Sequence, residues 1–205
     1  MPTPIRVLGL DPSLRCTGYG VVDFRPDTDA SILVEGGVIR TPSGARLEER
    51  VLIIHRAARD LLTEFVPDVV AIEDLFTRFK NPRTAILMAH GRGVLLLACA
   101  QAGVPVVPYA PRLIKNAIVA HGGAQKHQIQ ARVQAIFGLA NPPEPADVAD
   151  ALAIALTHIQ RALRRQEPAP ILNIRYPREL DPSPSRGTGG VGEGASGVED
   201  PCSTL

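Results

Sequence analysis

The order of hydrophobic patterns along this chain restricts its fold more than any other feature. Three β-type segments come first, at residues 5–10, 18–24 and 31–41, with short turn-forming stretches between them. The pattern then changes to a single apolar helical face over residues 45–65. Because consecutive strands joined by short turns usually pair as hairpins, these three strands predict the antiparallel part of a larger sheet.

Strands and helices alternate along the rest of the foldable chain. The predicted elements are a strand at 68–74, a helix at 84–102, a strand at 105–108, and helices at 111–119, 125–137 and 146–165. Strands separated by helices usually join a sheet in parallel, so we expect an α/β fold in which helices flank a mixed five-stranded sheet. This domain is predicted to cover residues 1–165. Residues 166–205 are rich in Pro and Gly and are predicted to be a disordered tail.

The composition argues against an exported, zinc-binding or membrane-spanning protein. Cys16, Cys99 and Cys202 are scattered without ligand spacing, and the first residues lack the basic and apolar segments of a signal peptide. The most apolar stretch, residues 85–108, is interrupted by polar and charged side chains before it reaches the roughly 18 apolar residues of a membrane span. We therefore expect a cytoplasmic protein without a membrane partner.

Basic residues are concentrated in the middle of the chain, although the formal net charge is only +1. No Asp or Glu occurs between Asp74 and Glu144. Eight basic side chains lie in that interval: Arg78, Lys80, Arg83, Arg92, Arg112, Lys115, Lys126 and Arg132. A basic block without acids suits a polyanion such as nucleic acid, and a chance imbalance on a solvated surface is the alternative.

Four carboxylates occupy positions from which they could meet at one edge of the sheet. Asp11 directly follows the first strand, and Glu73 lies at the end of the fourth. Asp147 and Asp150 start the last helix on one face. Taken singly, each has an ordinary structural explanation, such as a helix cap, a turn or an exposed strand end.

Together the carboxylates indicate a cation site. Carboxylates that converge in a partly buried place repel one another, so they persist only when protonated or bound to cations. Oxygen ligands suit Mg²⁺ or Mn²⁺, and a pair of such ions promotes phosphodiester cleavage by activating water and stabilising the leaving oxygen. A carboxylate site beside a basic block is the combination that a nuclease needs.

Several segments of the sequence resemble the RuvC Holliday-junction resolvases of bacteria, in order and in spacing. They read LGLDPSLRCTGYGVV, VVAIEDLF, HGRGVLLLA, PRLIKNAIVAHGGAQK and ADVADALAIALTH, and the resemblance covers residues 5–160. It implies a ribonuclease H-like fold and a homodimer that nicks two opposing strands of a four-way DNA junction symmetrically, leaving 5′-phosphate and 3′-hydroxyl ends. It further implies two Mg²⁺ ions per active site, with Mn²⁺ as a substitute, and a partnership with the RuvA–RuvB branch-migration complex in recombination and repair.

The resemblance also assigns the four acids a role. Asp11, Glu73, Asp147 and Asp150 match the family's metal-binding catalytic acids. Some relatives carry His at the position of Asp147, which makes the part played by this residue the least defined of the four. Ser13 stands where the family usually has Gly, so the loop after Asp11 departs from the family pattern.

Predicted DNA contacts come from two parts of the basic block. Phe76 matches an aromatic residue that stacks on bases near the crossover, and Arg78 and Lys80 beside it suit phosphate contacts. Lys115 and Lys126 match basic residues at the DNA backbone and the active site. The helix that starts near residue 84 matches the family's dimer interface, which would explain why it is apolar on every side.

Two other functions remain open from the sequence. Asp11 followed by the Gly-rich residues 17–20 is similar to the first motif of actin-like and sugar-kinase-like phosphotransferases, but those proteins have two lobes and residues 1–165 suffice for one. A protein that binds junctions without cutting them is the second alternative. The presence of all four acids favours cleavage.

Overall fold

The fold is built on a mixed sheet of five strands. The structure is a computed structural model that describes residues 3–75, 82–119 and 125–165. The strands are β1 Ile5–Asp11, β2 Cys16–Arg25, β3 Ala30–Arg40, β4 Val69–Glu73 and β5 Val106–Tyr109. Their order in the sheet is β3-β2-β1-β4-β5. The pairs β1–β2 and β2–β3 are antiparallel, and the pairs β1–β4 and β4–β5 are parallel. The predicted antiparallel and parallel parts of the sheet are both confirmed.

The helices also lie close to their predicted positions. They are α1 Leu47–Phe65, α2 Pro82–Ala102, α3 Pro111–Val119, α4 Lys126–Phe137 and α5 Ala146–His158. The last predicted helix, 146–165, is α-helical only as far as His158, because its hydrogen bonding changes to a π-helical turn over Ile159–Arg164. The predicted tail, residues 166–205, lies outside the described residues.

Each face of the sheet has its own hydrophobic core. Val7 of β1 packs in the core formed with α3, α4 and α5, whereas Leu8 and Leu10 pack in the core formed with α1 and α2. Side chains alternate between faces along a strand, so the odd-numbered residues of β1 face α5. Ala71 of β4 belongs to the same core as Val7. By the same alternation, Asp11 at the end of β1 and Glu73 at the end of β4 also lie on the α5 face.

Helix α5 lies directly on the backbone of the sheet at three glycines. Gly9 of β1 pairs with Gly20 of β2, and Asp11 pairs with Gly18. A Cβ atom at Gly18 would overlap the backbone carbonyl of Asp147, and one at Gly9 would overlap the helix one turn further on. Side-chain-free backbone therefore allows the start of α5 to sit beside the last residue of β1.

Helix α2 exposes an unusual amount of apolar surface. Its Thr84–Ala102 stretch has a mean hydropathy of 1.4, enough by length and composition to pass for a membrane span, and 22% of it is buried. Core helices pass the same test, and one face of α2 contributes Leu95 to the core that it shares with α1. On the other side Ile86 and Leu97 are 59% and 50% exposed. Part of the apolar surface of α2 is therefore uncovered in the single chain, and the predicted dimer interface on this helix stays a prediction.

Candidate active site

Asp11 and Glu73 stand side by side at the ends of two central strands. β1 and β4 are parallel, and Leu10 pairs with Ile72, so the residue that follows each of them lies at the same edge of the sheet. The two carboxyl groups are close enough to interact: in addition to burial, the charge of Glu73 raises the pKa of Asp11, and the Asp11 carboxyl opposes the rise in the pKa of Glu73. This is the pairing that the strand ends predicted.

A pocket of about 350 Å³ opens in front of this pair. Asp150, from the first turns of α5, forms another part of its wall together with Lys115 and Lys126. The remaining lining residues are Pro12, Ser13, Met88, Pro111, Ile114, Ile129 and Ile154. The pocket thus brings together three of the four predicted acids and both predicted lysines of α3 and α4.

Lys126 is bound to one of the acids. Its Nζ donates to Oδ2 of Asp150 over 3.1 Å, with the lysine side chain 70% exposed and the aspartate 25% exposed. Burial opposes the charge of Lys126, but the hydrogen bond and the attraction of Asp150 outweigh it and raise the pKa of the ammonium. The lysine therefore stays charged at the mouth of the pocket.

Asp147 does not line the pocket but stands beside it, toward β2. The Sγ of Cys16 donates to Oδ2 of Asp147 over 3.4 Å. Burial raises the pKa of the Cys16 thiol, and the charge of Asp147 raises it further, so the thiol keeps its proton for this bond. Asp147 is thus outside the pocket lining but still close enough for its charge to raise the pKa of Asp11.

The carboxylates in the pocket are electrostatically strained. Burial raises the pKa of the Asp11 carboxyl from its ordinary 3.8 to about 8, and repulsion by Glu73 and Asp150 adds to the effect. The pKa of Glu73 is also raised, by burial and then by the charge of Asp150. Near neutral pH the pair therefore retains a proton. A perturbed group of acids in a concave site is a common mark of a functional centre.

The donor set suits a hard divalent cation. Carboxylate oxygens are the preferred ligands of Mg²⁺, and a cation held by Asp11 and Glu73 would offset the repulsion between their charges. Within the described residues, no three His, Cys, Asp or Glu side chains already form a complete group of metal ligands. Lys126 would compete with such a cation for Asp150.

Three contributors to the site were not predicted. Cys16 contacts Asp147, Gly18 admits the start of α5, and Arg92 of α2 contacts the end of β4. The spacing of Gly18 and Gly20 could have signalled a closely packed helix, because alternate glycines clear one face of a strand. No local pattern marks Cys16 or Arg92, since each acts on a residue far away in the sequence.

Three further residues are predicted to contact DNA. Phe76, Arg78 and Lys80 lie outside the described residues, so their roles stay predictions.

The chain is similar to one group of known proteins. A family model described as Crossover junction endodeoxyribonuclease RuvC matches residues 7–158. The protein of that name from Chloroflexus aggregans is 43% identical over 158 residues, which are 77% of this chain and 94% of that protein. The one from Leifsonia xyli subsp. xyli is 48% identical over 157 residues, 77% of this chain and 74% of that protein.

Solved structures give the same result. The structure of Thermus thermophilus RuvC in complex with Holliday junction substrate superposes with a TM-score of 0.74 at 35% identity. The match covers 82% of this chain and 99% of the other.

Proposed function

The chain belongs to the RuvC family of crossover junction endodeoxyribonucleases, and on this basis we propose that it resolves four-way DNA junctions by symmetric paired nicks. One observation supports cleavage in particular. Asp11, Glu73 and Asp150 line a single pocket with Lys115 and Lys126, so anionic metal ligands and phosphate-binding cations are within reach of one DNA strand.

Asp11, Glu73 and Asp150 are the proposed metal ligands. Two Mg²⁺ ions per active site are expected, with Mn²⁺ as a substitute. The chemistry that these ions supply when bound is activation of a water molecule and stabilisation of the leaving 3′ oxygen. Asp147, held by Cys16 at the margin of the pocket, is proposed to complete the site and help orient water.

The protein's cations act on the phosphate. Lys126 would be released from Asp150 when that carboxylate binds a metal ion, and its N–H groups would then be available for a phosphate oxygen. Lys115, on the same pocket wall, adds a second positive charge for the DNA backbone. Phe76, Arg78 and Lys80 are proposed to contact bases and phosphates at the crossover.

We propose that α2 forms the interface of a homodimer. Ile86 and Leu97 expose apolar surface on the side of α2 that does not pack against the sheet core, and a second copy would remove this surface from water. Two active sites in one dimer would give the paired nicks. A partnership with the RuvA–RuvB complex and a cytoplasmic location are proposed from family membership alone.

The test compares the wild type with Asp11→Asn on a labelled four-way junction and a linear duplex of matched sequence, in EDTA, Mg²⁺ or Mn²⁺. We expect the wild type to cut only the junction and only with metal. Asp11→Asn should bind the junction without cutting it. Binding without cutting by the wild type in either metal would instead support the alternative of a non-cleaving junction-binding protein.

A further inference from the structure

Arg92 of α2 is an arginine in an unusually buried position beside the active site. Its side chain is only 11% exposed. Nε donates to the backbone carbonyl of Glu73 over 3.3 Å, and Nη2 lies 3.0 Å from Oδ1 of Asp74. The guanidinium thus contacts the last residue of β4 and the residue after it.

The same turn of α2 also lies against the end of β1. Gly91 is buried, and a Cβ atom placed there would come to 3.4 Å from the backbone of Ser13, two residues after Asp11. The residue after Glu73 is also held by the neighbouring strand, because the backbone N–H of Asp74 donates to the carbonyl of Tyr109 at the end of β5 over 2.9 Å. Gly91 and Arg92 of α2 therefore contact the chain next to Asp11 and at Glu73, where β1 and β4 end.

We propose that Arg92 is a positioning residue for Glu73, an inference that rests on the proposed nuclease function of the pocket. Arg92 does not line the pocket, so it acts through the backbone. The carbonyl of Glu73 is held by the guanidinium, which fixes the last peptide of β4 and hence the direction in which the Glu73 carboxylate leaves the strand. Asp74 attracts the guanidinium as its ionic partner, although Nη2 has no hydrogen-bond partner among the described residues.

Positioning and simple electrostatics predict opposite effects of removing this arginine. Loss of a positive charge near three carboxylates should by itself strengthen binding of a divalent cation. Loss of a group that orients a metal ligand should weaken binding, by 10- to 100-fold in typical metal sites. Lys126 offers the matched contrast, because its ammonium contacts Asp150 directly and competes with a cation for that carboxylate.

The experiment is calorimetric titration of Mn²⁺ into the full-length protein without DNA. We expect Arg92→Met to bind Mn²⁺ at least tenfold more weakly than the wild type. Lys126→Met should bind it equally or more tightly. Arg92→Lys keeps the charge but cannot hold the Glu73 carbonyl and Asp74 with one planar fork, so it too should bind Mn²⁺ more weakly.

Folding is checked by thermal unfolding in EDTA, and Arg92→Lys provides a second variant if Arg92→Met does not fold. Mn²⁺ affinity in a folded Arg92 variant equal to or tighter than that of the wild type would overturn the positioning role. So would a wild type that binds no Mn²⁺. Because the titration involves neither DNA nor cleavage, a wild type that binds Mn²⁺ but cuts no junction would contradict the proposed function alone.

Discussion

Asp11 combines a partly buried position with carboxylate neighbours on two other elements. Its role in a site was predictable, because a charged residue directly after a buried strand is energetically costly unless another charged or polar group compensates it. The sequence also indicated Glu73 and Asp150 as partners. It did not indicate that Asp147 lies beside the pocket, because a spacing of three residues places two side chains on one helical face but does not specify what each contacts. Cys16, which contacts Asp147, comes from a strand 131 residues earlier.

The raised pKa of Asp11 predicts how pH changes the stability of the metal-free protein. The folded state binds a proton at this carboxyl up to about pH 8, while the unfolded chain loses it near 3.8. Its contribution to stability is therefore fully present below 3.8 and is lost as pH rises through about 8. Asp11→Asn should remove this loss, and in EDTA at pH 9 it should be more stable than the wild type by several kcal/mol.

Thermal unfolding in EDTA between pH 5 and pH 9 measures this difference. The advantage of Asp11→Asn should shrink toward pH 5. A variant that is less stable than the wild type by the same amount at every pH would show that Asp11 is not electrostatically strained.

Lys115 should contribute to DNA affinity through charge alone. Each phosphate contact releases counterions, so junction binding should weaken steeply as salt rises. Lys115→Ala should reduce the slope of log K against log salt by roughly one unit, as measured by fluorescence anisotropy in EDTA. An unchanged slope would remove Lys115 from the phosphate contacts.

Among the structural elements, α5 shows most clearly what the sequence could predict. Its start near residue 146 and the placement of its two aspartates on one face were predicted from the sequence. Its close approach to the sheet depends on glycines in β1 and β2, which are distant in the sequence. The hydrophobic pattern did not predict the change to a π-helix at Ile159. The ribonuclease H-like fold class is confirmed by the strand order and by the solved RuvC structures.

Gly18 is the position where this packing can be tested. A Cβ atom would overlap the carbonyl of Asp147, so Gly18→Ala should push the start of α5 away from β1. We expect a loss of about 1–3 kcal/mol in stability from overpacking. Cleavage should fall by about tenfold or more, because small displacements of catalytic groups are costly.

Gly44→Ala is the matched control, because open space surrounds Gly44. It should leave both stability and cleavage close to the wild-type values. A Gly18→Ala variant with unchanged unfolding temperature and cleavage rate would contradict the close approach of α5.

For the assembled molecule, the prediction concerns the exposed side of α2. Leu97→Glu would place a charge in the proposed interface, where it would be desolvated without a partner. Light scattering after size-exclusion chromatography should show a dimer for the wild type and a monomer for the variant. Ile32→Glu, at a residue of β3 with similar exposure, should remain dimeric. A Leu97→Glu variant that stays dimeric would place the interface elsewhere.

The most direct measurement follows both strands of a single junction. A supercoiled plasmid that extrudes a cruciform is linearised when two opposing strands are cut within the lifetime of one complex, and it becomes a nicked circle when only one is cut. With the wild type and Mg²⁺ we expect linear plasmid with ligatable ends, and no product with Asp11→Asn. Nicked circles as the lasting product, or equal cutting of a plasmid without the cruciform, would contradict a dimer with two junction-specific active sites.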